Sequence, residues 1–116
     1  MEESILLTIR KLLEDNSENF YDENIIIGIN TALMELNQIG IGPDTGFMIT
    51  GEGETWTDLI GEYKDVASVK TYVHLKTKLL FDPPGTSFAL EAMERILDRL
   101  EWRLNSQVEV GRSSTV

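Results

Sequence analysis

The chain has 116 residues, no cysteine and one histidine, and its twenty acidic residues against ten basic ones give a net charge of −10. That length makes one small domain, and its 41 % hydrophobic and 26 % charged residues suit a folded chain. Disulfide scaffolds, thiolate metal sites, cysteine nucleophiles and multi-histidine metal cages are excluded, no apolar run approaches the ~20 residues of a membrane span, and the acidic start (MEESILLTIRKLLEDN) is unlike a secretory leader.

The charge is uneven. Residues 1–65 carry 14 acids and 3 bases, and residues 66–116 carry 6 acids and 7 bases. An acidic half repels a phosphate backbone, which argues against wrapping or reading DNA. It suits a solvated surface, a basic protein partner, or the wall of a space through which DNA slides without adhering.

Four helices are expected in chain order. The first runs from about Glu2 to Glu14, with Ile5, Leu6, Ile9, Leu12 and Leu13 at helical spacing. Glu2 and Glu3 at its start and Arg10 and Lys11 near its end suit the macrodipole, and Asn16, Ser17 and Asn19 break it. The second follows Asp22 as N-cap and ends at Gly40. Ile25, Ile26, Ile29, Ala32, Leu33 and Leu36 share one of its faces, while Ile27 and Met34 point the other way. That pattern fits a helix central in its bundle or one facing an interface.

Residues 40–63 hold six of the nine glycines, so a long glycine-rich loop is expected between the second and third helices. Phe47 to Thr50 reads as a strand that admits a short β-hairpin. Thr55 to Ile60 reads as a helical turn carrying Trp56, Leu59 and Ile60 inward. The third helix covers about Asp65 to Phe81, with Val66, Val69, Tyr72, Val73, Leu79 and Leu80 as its stripe, and Pro83, Pro84 and Gly85 end it. Ser87 is the expected cap of the fourth helix, Phe88 to Asn105, whose buried side is Ala89, Met93, Ile96, Leu97, Leu100 and Leu104. The fold class is thus mainly α, a small four-helix bundle over 1–105, with a flexible tail over 106–116.

Catalytic chemistry is sparse. His74 stands with Lys70 and Lys78 in a basic stripe at four-residue spacing, and two cations beside it disfavour the imidazolium. No nucleophile motif accompanies it. Gly51-Glu52-Gly53 matches neither phosphate-loop pattern. Asp44, Glu52, Glu54 and Asp58 lack the spacing of a calcium loop. Glu91, Glu94, Asp98 and Glu101 fall within an arc of roughly 80° on the fourth helix. Helical nucleotide pyrophosphatases hold magnesium with such acids, but they use two facing helices, and Arg95, Arg99 and Arg103 lie alongside here. The residues therefore point to no enzyme, no cofactor and no metal. Trp102 falls nearly opposite the buried side, between charged stripes. It is either covered by the loop or an interface anchor, a role enriched in tryptophan and arginine.

The run FDPPGTSFALEAMERILDRLEWRLN (81–105), preceded by YDENIIIGINTALMELNQIGI, a glycine-rich loop and the Val69 to Leu80 helix, resembles the small helical head–tail connector proteins of tailed phages and prophages. These are also called adaptor or head-completion proteins, and the likeness covers about residues 1–105. The resemblance implies a structural virion protein: a ring of about a dozen copies beneath the portal, built on heterologous contacts. Its location is the head–tail junction, after assembly in the bacterial cytoplasm. Its partners are itself, the portal protein and downstream head-completion or tail proteins, and DNA passes through its channel without specific binding. On that reading Lys70, His74, Lys78, Arg95, Arg99, Trp102 and Arg103 are candidates for the subunit or portal interface. Glu52, Glu54, Asp58 and Glu62 are candidates for an acidic loop facing the channel, and the tail from Ser106 is a candidate strap onto the portal. The residues leave one alternative open, an acidic DNA mimic that blocks a host DNA-binding protein.

Overall fold

A computed structural model describes residues 3–14, 22–61, 65–81 and 83–114, with the side chains of residues 14 and 110–114 left out. The expectations resting on Glu2, on Asn16, Ser17 and Asn19, on Glu62 and on Asp82 lie outside the described residues. Five helices follow in order: α1 (Ile5–Glu14), α2 (Asp22–Ile39), α3 (Trp56–Ile60), α4 (Val66–Phe81) and α5 (Ser87–Ser114).

α2 is central, packed against α1, α4 and α5. Its inward stripe of Ile25, Ile29, Ala32, Leu33 and Leu36 is at most 1 % exposed. Ile5, Leu6, Ile9 and Leu13 of α1, Val69, Tyr72 and Val73 of α4, and Met93, Leu97 and Leu104 of α5 complete the core. The approach of α4 is close because residue 28 is glycine. A Cβ there would stand 2.8 Å from Thr77 Cγ2 and 2.9 Å from Phe81 Cε2.

Local chemistry moves several helix ends away from the periodicity. α1 begins at Ile5 because Ser4 caps it, its hydroxyl accepting from the Leu7 N–H at 3.3 Å. The preceding backbone is engaged elsewhere: Ile5 N–H donates to Glu54 O and Trp56 N–H to Glu3 O, an isolated bridge between Ser4 and Thr55. α2 ends in a Schellman motif. Ile41 N–H donates to Leu36 O and Gly40 N–H to Asn37 O, with Gly40 at φ 110°. α5 is capped by Thr86 rather than Ser87, since the Thr86 hydroxyl accepts from Ala89 N–H.

The region between α2 and α4 corrects the expected loop and hairpin. Among the described residues it contains no strand, and α3 divides it. The Phe47–Thr50 segment is paired, but to a side chain: Asn30 Nδ2 donates to Ile49 O at 3.0 Å, and Ile49 N–H donates to Asn30 Oδ1 at 2.8 Å. One asparagine on α2 thus supplies what a partner strand would. The segment keeps the alternation of a strand, with Ile49 1 % exposed and Met48 68 % exposed. α3 is fixed by a capping box in which Thr55 and Asp58 exchange side-chain and backbone hydrogen bonds.

The last helix is longer than expected. α5 continues past Asn105 to Ser114. Val108 packs against the core and Gln107 Nε2 donates to Asp65 Oδ2 at 2.7 Å, so the start of the expected tail is joined to the body. At ~1.5 Å per residue α5 is about 42 Å long.

Candidate assembly surfaces

Three polar clusters hold the helices together, and they consume residues that the sequence suggested were free. The first lies between α2, α4 and α5. Tyr72 is fully buried, and its hydroxyl stands 2.9 Å from Glu35 Oε2 and 2.7 Å from Glu101 Oε1, donating its one proton toward two carboxylates. Lys76 Nζ closes the cluster at 2.7 Å from Glu35 and 3.8 Å from Glu101. Burial raises the Glu35 pKa, but the bonds from Lys76 and Tyr72 outweigh it and hold the carboxyl below its usual range. Burial, with both carboxylates, pushes the tyrosine hydroxyl far above its ordinary value. Sequence reasoning placed Glu101 in an acidic arc beside the arginines of α5 and missed this cluster. The available signal was angular: Glu101 lies about 40° from Leu97 on the wheel, at the edge of the buried side.

The second cluster ties the start of α4 to α5. Asp65 accepts from Gln107, from Arg103 Nε at 2.8 Å and from Ser68 N–H. The Gln107 bond foremost, then Arg103 and Ser68, hold its carboxyl down at about 2 against burial. Arg103, a candidate interface residue, is therefore a tie within the chain.

The third joins the N-terminus to the region after α2. Arg10 pairs with Asp22 at 2.9 Å and with Glu52 at 3.2 Å. Lys70 pairs with Glu3 at 2.9 Å and lies 5.7 Å from the centre of the Trp56 ring. Trp56 is buried and its Nε1 donates to Thr8 Oγ1 at 3.0 Å.

The basic stripe of α4 is accordingly divided. Lys70 is paired with Glu3, and His74 is half-buried between it and Lys78. Burial first, and then the Lys78 charge, keep the imidazole pKa below its usual value. The acids proposed for a channel are divided too. Glu54 turns onto its own loop, accepting from Thr50 N–H and Thr50 Oγ1 at 3.0 Å, whereas Glu52 and Asp58 stay exposed while serving Arg10 and the α3 cap.

Among the described residues, two surfaces with aromatic or methionine side chains remain open. On α5, Trp102 is 73 % exposed and Phe88 77 %, so the loop does not cover Trp102. Arg95 and Arg99 on the same face are exposed and make no ion pair among the described residues. On the outer side of α2, Ile27, Met34, Phe47 and Met48 line a groove of about 440 Å³. Three stripe assignments change as well: Leu12, Leu80 and Ile96 are 41 %, 52 % and 45 % exposed, and on α4 Thr77 is fully buried, its hydroxyl bonded to Val73 O.

No group of acids or histidine fit to hold a metal ion occurs among the described residues. No described helix is long and apolar enough to cross a membrane. What these surfaces offer is contact. A family model described as phage connector protein matches residues 5–111, whereas no curated protein and no solved structure matches the chain.

Proposed function

Because the chain belongs to the phage connector protein family, we propose that it is a structural virion protein forming a ring beneath the portal. It joins the DNA-filled head to the tail and continues the DNA channel. It assembles in the bacterial cytoplasm and ends at the head–tail junction, contacting the portal on one side and head-completion or tail proteins on the other. The observation that carries the reading is the family match across nearly the whole chain.

The described surfaces fit that role. A ring needs two different patches on each subunit, and the outer side of α2 and the outer face of α5 differ in composition and charge. Arg95, Arg99 and Trp102 are the interface candidates left open to a neighbour or the portal. His74 and Lys78 lie on a second face, and Lys70 and Arg103 support the fold beneath. Glu52 and Asp58, with Glu62, carry negative charge toward the channel so that DNA passes without adhering, and Glu54 orders the segment that presents them. The chain beyond Val108 is the strap to the portal. The DNA-mimic alternative is weaker, since Glu3, Asp22, Glu35, Glu52 and Asp65 are each held in an ion pair within the chain.

Deleting the gene in its parent phage or inducible prophage and imaging the particles tests the role. Capsids without tails, with packaged DNA prone to leak, are expected. Normal infectious virions would remove the connector reading and bring the DNA mimic forward.

A further inference from the structure

The outer groove of α2 has features that the fold does not require. Ile27 and Met34 are 58 % and 59 % exposed, and Met48 across from them is 68 % exposed. The polar side chains lining it are already engaged: Asn30 holds the Ile49 backbone, and Asn37 Nδ2 donates to Pro43 O at 2.7 Å. Thr31, which also lines it, donates its hydroxyl to Ile27 O at 2.9 Å, and these bonds persist beneath an apolar guest, which lowers the cost of covering them. Two carboxylates neighbour the lining residues in the chain. Glu23 stands one turn before Ile27, and Asp44 follows Pro43; both are exposed and neither is in an ion pair among the described residues.

The outer face of α5 is the complement. Phe88, Arg95 and Trp102 repeat every seven residues, with Arg99 one turn beyond Arg95. Arg95 to Trp102 spans about 10 Å along the helix, the same rise as Ile27 to Met34. Two guanidinium groups set between Phe88 and Trp102 thus complement in charge an apolar groove that has Glu23 one turn before it, and Arg95 and Trp102 match Ile27 and Met34 in spacing. Thioether–aromatic contact favours the same pairing. Both patches point away from the shared core, so a single copy cannot fill its groove with its own Trp102.

We propose that the α2 groove of one copy receives the α5 stripe of a second copy, with Trp102 seated between Met34 and Met48 and Arg95, about 10 Å before it, turned toward Glu23. The two patches differ, so the contact is heterologous and propagates from copy to copy, as a ring or an open filament requires. This deepens the connector reading and rests on it for its biological setting.

The test is complementation in sedimentation velocity with the full chain. Met34→Asp destroys the groove and keeps the stripe; Trp102→Ala does the reverse. Each variant alone is expected to associate about 30-fold more weakly than wild type, as loss of an interface anchor does. An equimolar mixture is expected to form dimers that grow no further, because only one intact groove–stripe pair remains. Circular dichroism verifies that the variants fold, and Ile27→Ser is a second groove variant should Met34→Asp fail to fold. Wild type that stays monomeric up to about 1 mM, variants that associate like wild type, or a mixture that does not pair would each overturn the proposal. The deletion phenotype is read independently. Tailless heads with a monomeric chain would sink this interface and leave the connector role standing.

Discussion

On the side of α2 that faces α4, Ile25, Ile29, Ala32, Leu33 and Leu36 are at most 1 % exposed, and Gly28 lets the two helices approach until a methyl group would no longer fit. Glu35, a charged residue that α2 brings to that seam, has both a lysine and a tyrosine as partners. On the opposite side of the same helix, Ile27 and Met34 are more than half exposed beside Phe47 and Met48. The periodicity of α2 marked both sides as apolar. Only one of them contributes to the stability of the isolated chain, so the apolar character of the other calls for an occupant from outside it.

The contrast can be broken from the inside first. Tyr72→Ala removes a large, fully buried side chain from the seam and is expected to cost about 3–5 kcal/mol, read as a shift in urea midpoint. Tyr72→Phe keeps the volume but strips Glu35 and Glu101 of their shared donor, for a loss of about 1–3 kcal/mol. An unchanged midpoint in Tyr72→Phe would mean that the hydroxyl is not structurally needed.

Gly28→Ala comes next. Overpacking costs about 1–3 kcal/mol, and the better helix propensity of alanine returns about 1 kcal/mol. A net loss of about 1 kcal/mol is expected. A more stable variant would show that Thr77 and Phe81 can retreat, and that the seam is not tight.

A pH series separates the tie between α4 and α5 from the seam. Asp65 titrates at about 2 in the fold against 3.8 ordinarily. Its contribution is therefore complete above about pH 3.8 and is lost as the pH falls toward 2. The effect is on the order of 1 kcal/mol, since Arg103 is 61 % exposed and solvent screens the pair. Asp65→Asn should flatten the stability curve in that window. His74, kept neutral by burial and by Lys78, adds a decline of the same sign as the pH falls below its ordinary 6.5, because the unfolded chain takes up the proton first. His74→Gln should remove that part alone.

The smallest effects on stability are expected outside. Met34→Lys and Trp102→Ala should each leave the unfolding free energy within about 0.5 kcal/mol, while association weakens about 30-fold. A large loss of stability in either would return that residue to the fold and remove the argument that it waits for a partner.

Helix positions were legible in the sequence because a buried stripe imposes its own period. The inward residues of α2, the turn at Trp56 to Ile60 and the Val69, Tyr72 and Val73 face of α4 follow from spacing alone. The Phe47–Thr50 segment shows where that reading fails. Its alternation is that of a strand, but a strand needs a partner for its backbone, and the partner is the side chain of Asn30, seventeen to twenty residues earlier in the chain. The α5 extension failed for a related reason: β-branched Val108 and Val110 and a glycine weaken helix propensity, and what holds residues 107 and 108 is contact with Asp65 and the core.

The candidate surfaces divide along the same line. From sequence alone came a small acidic helical domain without cysteine, and Trp102 as a residue on the wrong side of its helix. Those facts depend on composition and on angles within one helix, which are local. Which cations are free was decided by tertiary structure. Lys70 and Arg103 find carboxylates on other elements, whereas Arg95 and Arg99 find none among the described residues. An ion pair between residues tens of positions apart depends on how helices cross, and no periodicity in either helix records the crossing.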